Sequence, residues 1–142
     1  MTGSLVDVGV GASGGLPTVG ASTVAWFDEP LQEALAKAGA LVPLVEIFSA
    51  YHQSLLNPAN LKAALACGSR LTVHAPWEGL DLASLDEDLR RAAVATHQRE
   101  VERAAAVGAE LYVVHPDTGT ERGNGWSRSA ARAALARSFA DL

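Results

Sequence analysis

The sequence predicts an α/β fold in which parallel strands form a sheet and helices cover its outer side. Four apolar, β-branched stretches occur, at residues 5–10, 41–48, 71–73 and 111–114. Their nearly continuous hydrophobicity is typical of parallel strands that are buried on both faces. A helical pattern follows each stretch, so the predicted order is strand then helix, repeated along the chain.

The first predicted strand, at residues 5–10, is followed by a glycine-rich segment. Gly9, Gly11 and Gly14 match the spacing G-x-G-x-x-G, which in dinucleotide-binding proteins leads directly into a helix. Pro17 and the neighbouring glycines prevent a helix from starting here, so a pyrophosphate site at a helix N-terminus is not expected. We interpret the segment as a flexible loop.

The next two helices are short and amphipathic. The first spans residues 31–38, and the second spans residues 58–67. Asn57 is the expected N-cap of the second helix, Pro58 occupies its first position, and Gly68 ends it.

The third helix has the clearest start signal, because Ser84 and Glu87 have the spacing of a capping box. Its apolar face is predicted to comprise Leu89, Ala93, Val101 and Ala105. Its charged residues alternate in sign, as on a solvated face: Glu87, Arg90, Arg91, Arg99, Glu100, Glu102 and Arg103. His97 lies one turn from two of the apolar positions, so we interpret it as a packed, structural histidine.

The fourth helix begins near Ser127 and runs to Leu142 without a stop signal. The strands start at positions 6, 42, 71 and 111, at intervals of 36, 29 and 40 residues. A TIM-type (β/α)₈ barrel of about 250 residues averages about 31 residues per unit, so the intervals favour a barrel over an open doubly wound sheet. Residues 1–142 are therefore predicted to form a single domain with about four of the eight units, a half barrel.

Composition and charge exclude several classes of function. With 11 Lys and Arg against 16 Asp and Glu, the formal net charge is -5, so nucleic-acid binding is not expected. No apolar run approaches the roughly 20 residues needed to cross a bilayer, so a membrane protein is not expected either. The start of the chain lacks the basic region of a secretory signal, and we expect a cytoplasmic protein.

Two histidines occupy matching positions at the ends of the third and fourth strands. His74 and His115 each follow a buried strand, and Pro76 and Pro116 then stop those strands. Sites of α/β proteins form at the carboxyl ends of parallel strands, which lie about 4.8 Å apart. We expect the two imidazoles to converge on one metal ion or anionic group. The alternative is that both are hydrogen-bonded structural histidines.

Four further residues are candidates at the same predicted end of the sheet. Glu46 is a carboxylate in an otherwise apolar strand, so it contributes either to the site or to a buried hydrogen bond or salt bridge. Trp77 follows the first histidine motif, where an aromatic side chain either forms a wall for a sugar or base or anchors the loop. Trp126 has the same two interpretations, and His52 is a weaker candidate in the loop after the second strand.

These motifs resemble the xylose isomerase-like TIM barrel superfamily, which includes sugar phosphate isomerases and epimerases and the family-two apurinic/apyrimidinic (AP) endonucleases. The resemblance rests on residues 45–47, 74–77, 81–84, 104–109 and 113–116. In the endonuclease branch it implies that His74 and His115 are zinc ligands. In the isomerase branch it implies that they line the pocket, while carboxylates and a histidine on later strands hold the metal.

The predicted metal site is incomplete, because a catalytic zinc usually has three protein ligands and a water. Further ligands would come from Glu46, from a second copy of the chain, or from a fifth strand beyond Leu142 that the resemblance implies. The ion would be manganese, magnesium, cobalt or zinc.

We therefore predict the N-terminal half of a divalent-metal-dependent sugar or sugar phosphate isomerase or epimerase. Its predicted substrate contacts are Glu46, His74, Trp77 and His115, of which the two histidines are also metal ligands. One alternative is a zinc-dependent phosphodiesterase similar to AP endonucleases. The other is a non-catalytic half barrel that assembles with a partner or as a homodimer, because its sheet edges are exposed.

Overall fold

The structure, a computed structural model, describes residues 18–116 and 128–142. Strands and helices alternate in it as follows: β1 (Gly20–Ser22), α1 (Leu31–Leu41), β2 (Leu44–Phe48), α2 (Pro58–Ala66), β3 (Arg70–His74), α3 (Glu87–Ala106), β4 (Tyr112–Val113) and α4 (Arg128–Asp141). Short 3₁₀ turns follow the first two strands, at Thr23–Trp26 and Tyr51–Gln53. None of the helices within these ranges has the length and apolarity needed to cross a membrane.

The strands form one parallel sheet in the order β1-β2-β3-β4. Every strand therefore pairs with the next one along the chain, as in a (β/α) barrel. In a doubly wound sheet the order reverses at a switch point. The α/β class and the partial barrel predicted from the sequence are confirmed.

The main core lies between the sheet and the helices. Side chains alternate between the two faces of a strand, and the core face carries Val45, Ile47, Leu71 and Val73, each at most 3% exposed. Helical and loop residues complete this cluster: Leu31, Leu35, Ala38, Leu55, Ala64 and Ala104. The apolar layer fixes the strand register, because a shift by one residue would turn these side chains away from the helices.

The other face of the sheet corresponds to the inside of a barrel. It carries Glu46 and Phe48 of β2, which are paired in register with Thr72 and His74 of β3. His74 is paired in turn with Val113 of β4. Polar side chains near the carboxyl end of the sheet therefore share this inner face.

The first strand of the described sheet differs from the predicted one. The predicted strand at residues 5–10 and the glycine motif after it lie outside the described residues. Within them, β1 is Gly20–Ser22, a stretch for which the sequence predicted no strand. A Cβ at Gly20 would lie 3.2 Å from the Leu44 carbonyl oxygen, so glycine allows close approach to β2.

The predicted capping box of α3 is wrong. The N-cap is Asp86, whose carboxylate accepts hydrogen bonds from the Asp88 and Leu89 amides at 3.0 and 3.2 Å. Ser84 Oγ instead accepts from the Asp86 amide at 3.2 Å. Ser84 therefore shapes the turn before the helix, and the aspartate is better placed to satisfy the first free N–H groups.

The predicted faces of α3 are also partly wrong, because Leu89 is 53% exposed whereas Arg90 and Glu100 are 4% and 0% exposed. Arg90 can be buried because it has charged and polar partners. Its guanidinium donates to Glu87 at 2.8 Å, Asp141 at 2.9 Å and Ser138 at 3.0 Å. The burial of His97 agrees with its interpretation as a packed histidine.

Candidate functional site

The structure brings His74 and His115 together at the carboxyl edge of the sheet. Their Nε2 atoms are 3.0 Å apart, and their ring centroids are 4.9 Å apart. His74 ends β3 and is paired in register with Val113 of β4. His115 comes two residues after Val113. Strand pairing and the two-residue alternation of side chains therefore place both imidazoles on one face.

A backbone hydrogen bond fixes the orientation of His74. Its Nδ1 lies 3.0 Å from the carbonyl oxygen of Ala75. A carbonyl oxygen only accepts, so Nδ1 carries the proton and Nε2 of the neutral ring has a free lone pair. His115 Nε2 lies within hydrogen-bond distance of this nitrogen, and the tautomer of each ring decides which one donates. Metal-binding histidines commonly have the same kind of backbone anchor on their second ring nitrogen.

The spacing of the two imidazoles suits two ligands of one small cation. Two nitrogens bound to a tetrahedral ion at about 2.0–2.1 Å would be about 3.3 Å apart, close to the 3.0 Å observed here. Residues 18–116 and 128–142 contain no cluster of three or more His, Cys, Asp or Glu that could hold an ion. Within them, the histidines therefore offer a partial ligand set.

Aromatic rings form a wall beside the pair. The ring centroid of Trp77 is 5.3 Å from that of His74, 5.4 Å from that of His115 and 5.1 Å from that of Phe48. Such rings offer an apolar surface to a small ligand next to polar groups. Trp77 therefore packs beside both histidine rings, and its role as a wall for a substrate stays a prediction.

A pocket of about 260 Å³ adjoins this wall, between the segments that follow β2 and β3. Its lining consists of Phe48, Ala50, Tyr51, Pro76, Trp77 and Glu78. The Glu78 carboxylate lies near enough to the Tyr51 hydroxyl to raise the pKa of Tyr51. Tyr51 and Glu78 could not be predicted from the sequence, because an exposed tyrosine and glutamate in loops have no distinguishing pattern.

The loop after β2 is fixed from behind by Glu100. The Ser49 and Ser54 hydroxyls donate to its two carboxylate oxygens at 2.7 and 3.0 Å, and Ser49 Oγ accepts from the Leu55 amide at 2.8 Å. Burial raises the pKa of Glu100, and the two serine hydrogen bonds oppose that effect. A single buried carboxylate of the outer helix layer thus holds both ends of the loop that carries Tyr51.

The other predicted residues lie outside the histidine pair. Glu46 is half-buried on the inner face, between Ser22 and Thr72 in register, and within the described part of the chain its carboxylate has no hydrogen bond or ion pair. Its predicted site role stays a prediction. His52 packs edge-on against Phe27 at a centroid distance of 5.0 Å. Trp126 lies outside the described residues.

A parallel sheet in chain order with a polar site at its carboxyl edge defines part of a (β/α)-barrel protein. The family model described as xylose isomerase-like TIM barrel matches residues 29–142. The chain therefore belongs to the xylose isomerase-like TIM barrel family.

Solved structures share this fold. A D-tagatose 3-epimerase-like protein matches with a TM-score of 0.75 and 23% identity, over 88% of this chain and 47% of its own. A D-psicose 3-epimerase, solved in the presence of D-fructose, matches with a TM-score of 0.67 and 16% identity, over 85% of this chain and 46% of its own. Endonuclease IV from Thermus thermophilus matches with a TM-score of 0.50 and 24% identity, over 78% of this chain and 41% of its own.

These identities show the fold alone. The chain spans about half the length of the solved structures it matches. A search of curated proteins gives no significant match.

Proposed function

We propose that this chain forms part of the active site of a divalent-metal-dependent sugar isomerase or epimerase. The observation that carries the proposal is the convergence of the His74 and His115 Nε2 atoms, 3.0 Å apart, beside the ring of Trp77. The epimerases among the matched folds support it.

The reaction class removes a proton beside a carbonyl group and returns it to another face or carbon. When bound, a divalent ion would polarise that carbonyl and stabilise developing negative charge. His74 and His115 would hold the ion through Nε2. Trp77 would pack against the substrate and exclude water, and Glu46 on the same face is the proposed additional substrate contact.

Calorimetric titration with Mn²⁺ and with Zn²⁺ tests the metal part of this proposal. We expect measurable but weak binding, because two imidazoles form only part of a ligand shell. His74→Ala and His115→Ala should each weaken it at least about tenfold, as is typical of even indirect changes at metal sites. His52→Ala is the matched control and should bind as the wild type does. Unchanged binding in the His74→Ala/His115→Ala double variant would show that the ligands lie elsewhere.

The substrate part is tested with sugars once the metal has been added. Conversion of D-fructose to an epimer or isomer, or failing turnover a saturable shift of the Trp77 indole NMR signal, should require the metal and both histidines. Binding or turnover that is independent of both would refute the proposed site.

A zinc-dependent phosphodiesterase is the second candidate, and the histidine pair itself favours it. Imidazole nitrogens from two neighbouring strands suit zinc, and endonuclease IV shares the fold. The net charge of -5 opposes binding to a polyanion. Zn²⁺-dependent cleavage of a duplex with one abasic site, lost in His115→Ala and accompanied by no sugar binding, would replace the first candidate with this one.

The homodimer formed through sheet edges and the cytoplasmic location stay predictions from the sequence. Light scattering of the purified chain would give the mass that decides between monomer and dimer.

A further inference from the structure

We propose that Tyr51 and Glu78 recognise a hydroxyl-bearing, unphosphorylated end of the substrate in the pocket beside the histidine pair. This inference rests on the proposed function, because it names the substrate chemistry of the same site.

The pocket is placed to receive the part of a ligand that extends beyond the histidines. Trp77 and Phe48 belong both to the pocket lining and to the aromatic wall, and each has its ring within 5.6 Å of His74. A ligand held at the histidine nitrogens would therefore pass along this wall into the pocket. Its far end would meet Tyr51 and Glu78.

The chemistry of these two side chains selects hydroxyl groups. A carboxylate accepts hydrogen bonds from hydroxyls, and a phenol both donates and accepts. Of the described side chains that line the pocket, Glu78 alone is charged. A phosphate group would bring further negative charge next to this carboxylate and would be repelled.

The backbone at Tyr51 supports a functional role for its side chain. Its φ is +53°, and no other non-glycine residue in the described ranges has a positive φ. A bulky residue in this region is strained, and such strain persists only where the surrounding structure enforces it. Strained residues of this kind cluster at ligand-binding sites, which makes Tyr51 a candidate on geometric grounds.

The surroundings do enforce this conformation. Glu100 accepts from the Ser49 and Ser54 hydroxyls on either side of Tyr51, at 2.7 and 3.0 Å. Asn60 Nδ2 donates to the Ser54 carbonyl oxygen at 2.9 Å. The loop therefore holds Tyr51 in the lining of the pocket with Glu78 before any ligand arrives, which lowers the entropic cost of binding.

The experiment compares D-fructose with D-fructose 6-phosphate as probes of the full chain with Mn²⁺ present, by tryptophan fluorescence or NMR titration. We expect the wild type to bind D-fructose at least about tenfold more tightly than the phosphate. Tyr51→Phe, which removes only the hydroxyl, and Glu78→Gln, which removes only the charge, should each weaken D-fructose binding about tenfold. Glu78→Gln should also reduce the discrimination against the phosphate.

Glu102→Gln is the matched control, because it makes the same charge change at an exposed position of α3 and should leave both affinities unchanged. A wild type that prefers the phosphate overturns the inference. D-fructose binding that Tyr51→Phe and Glu78→Gln leave unchanged overturns it while the proposed function stands. A wild type that binds neither sugar overturns both.

Discussion

Two histidine environments lie on opposite faces of the same short strand. On the helix side of β4, the Tyr112 hydroxyl is 3.0 Å from Nδ1 of His97, which is fully buried. On the inner side, His115 is exposed and meets His74 through their Nε2 atoms. The buried histidine is enclosed by the core, whereas the Nε2 atoms of the half-buried His74 and the exposed His115 meet at the carboxyl edge of the sheet. The candidate site therefore differs from the buried polar pair in the accessibility and convergence of its side chains, and not in residue type.

The buried region also changes the acid–base properties of its members. Burial lowers the pKa of His97. Burial and, to a smaller extent, the charge of Glu100 raise the pKa of Tyr112. Within the described residues, His97 Nε2 has no hydrogen-bond partner. Substitution of side chains in the buried region should therefore change the free energy of unfolding. Substitution of the two histidines at the carboxyl edge of the sheet should instead change ligand binding.

The largest expected effect is on stability, from Glu100→Ala. This change leaves the buried hydroxyl of Ser49 and the partly buried hydroxyl of Ser54 without their acceptor and creates a cavity. We expect a loss of about 3 kcal/mol in the free energy of unfolding, measured by urea denaturation. The exposed neighbour Glu102→Ala should cost less than about 0.5 kcal/mol. Equal effects of the two variants would contradict the structural role of Glu100.

Metal addition should separate the two histidine environments. Zn²⁺ at 100 times its dissociation constant should raise the free energy of unfolding of the wild type by about 2.7 kcal/mol. His115→Ala should lose at least about half of this increase, whereas His52→Ala should keep it. Thermal denaturation with and without Zn²⁺ measures the difference. An increase that persists in His115→Ala would place the metal away from the His74–His115 pair.

The pH dependence of stability tests the buried side. Because the pKa of His97 is lowered in the folded state, the unfolded chain binds a proton first as the pH falls below about 6.5. The contribution of the neutral His97 to the free energy of unfolding is therefore lost as the pH decreases, at most by about 1.4 kcal/mol per pH unit. Glu100 acts in the opposite direction, since its raised pKa favours the folded state at low pH and this contribution is lost as the pH rises above about 4.5.

His97→Gln should flatten the part of the profile just below pH 6.5 and leave the rest unchanged. The free energy of unfolding measured in urea at intervals of pH shows this. An unchanged slope in that range would mean that another group is responsible.

The smallest expected effect concerns the strained loop residue. At most exposed positions alanine is at least as favourable as glycine, but at Tyr51 the positive φ reverses this order. Tyr51→Gly should be more stable than Tyr51→Ala by about 0.5–1 kcal/mol in urea denaturation. The reverse order would show that the loop relaxes to negative φ in solution.

Local signals in the sequence predicted several elements well. Asn57 caps α2 as expected, because its side chain accepts from the Ala59 amide at 3.0 Å. Pro58 starts the same helix, as its fixed φ and missing N–H favour. The strand-end positions of His74 and His115 predicted their convergence, since parallel pairing brings neighbouring carboxyl ends together.

Features that depend on tertiary partners could not be predicted in this way. Glu100 has the pattern of a solvated helix residue, and only the serines of a loop 46 to 51 positions away allow its burial. Tyr51 and Glu78 come from different loops, so they line one pocket only after the sheet has formed. β1 is a three-residue strand held by pairing with β2, and its own composition carries no strand signal.

The alternation of β3 constrains how relatives of this chain can diverge. An insertion of one residue between Leu71 and His74 would carry the imidazole from the inner face to the helix side, while the backbone pairing could persist. An insertion at the opposite edge, where Gly68 has a φ of +69° before the strand begins, leaves the face assignment intact. Length changes should therefore accumulate before Arg70, and the four positions from Leu71 to His74 should keep constant spacing whatever reaction the family member performs.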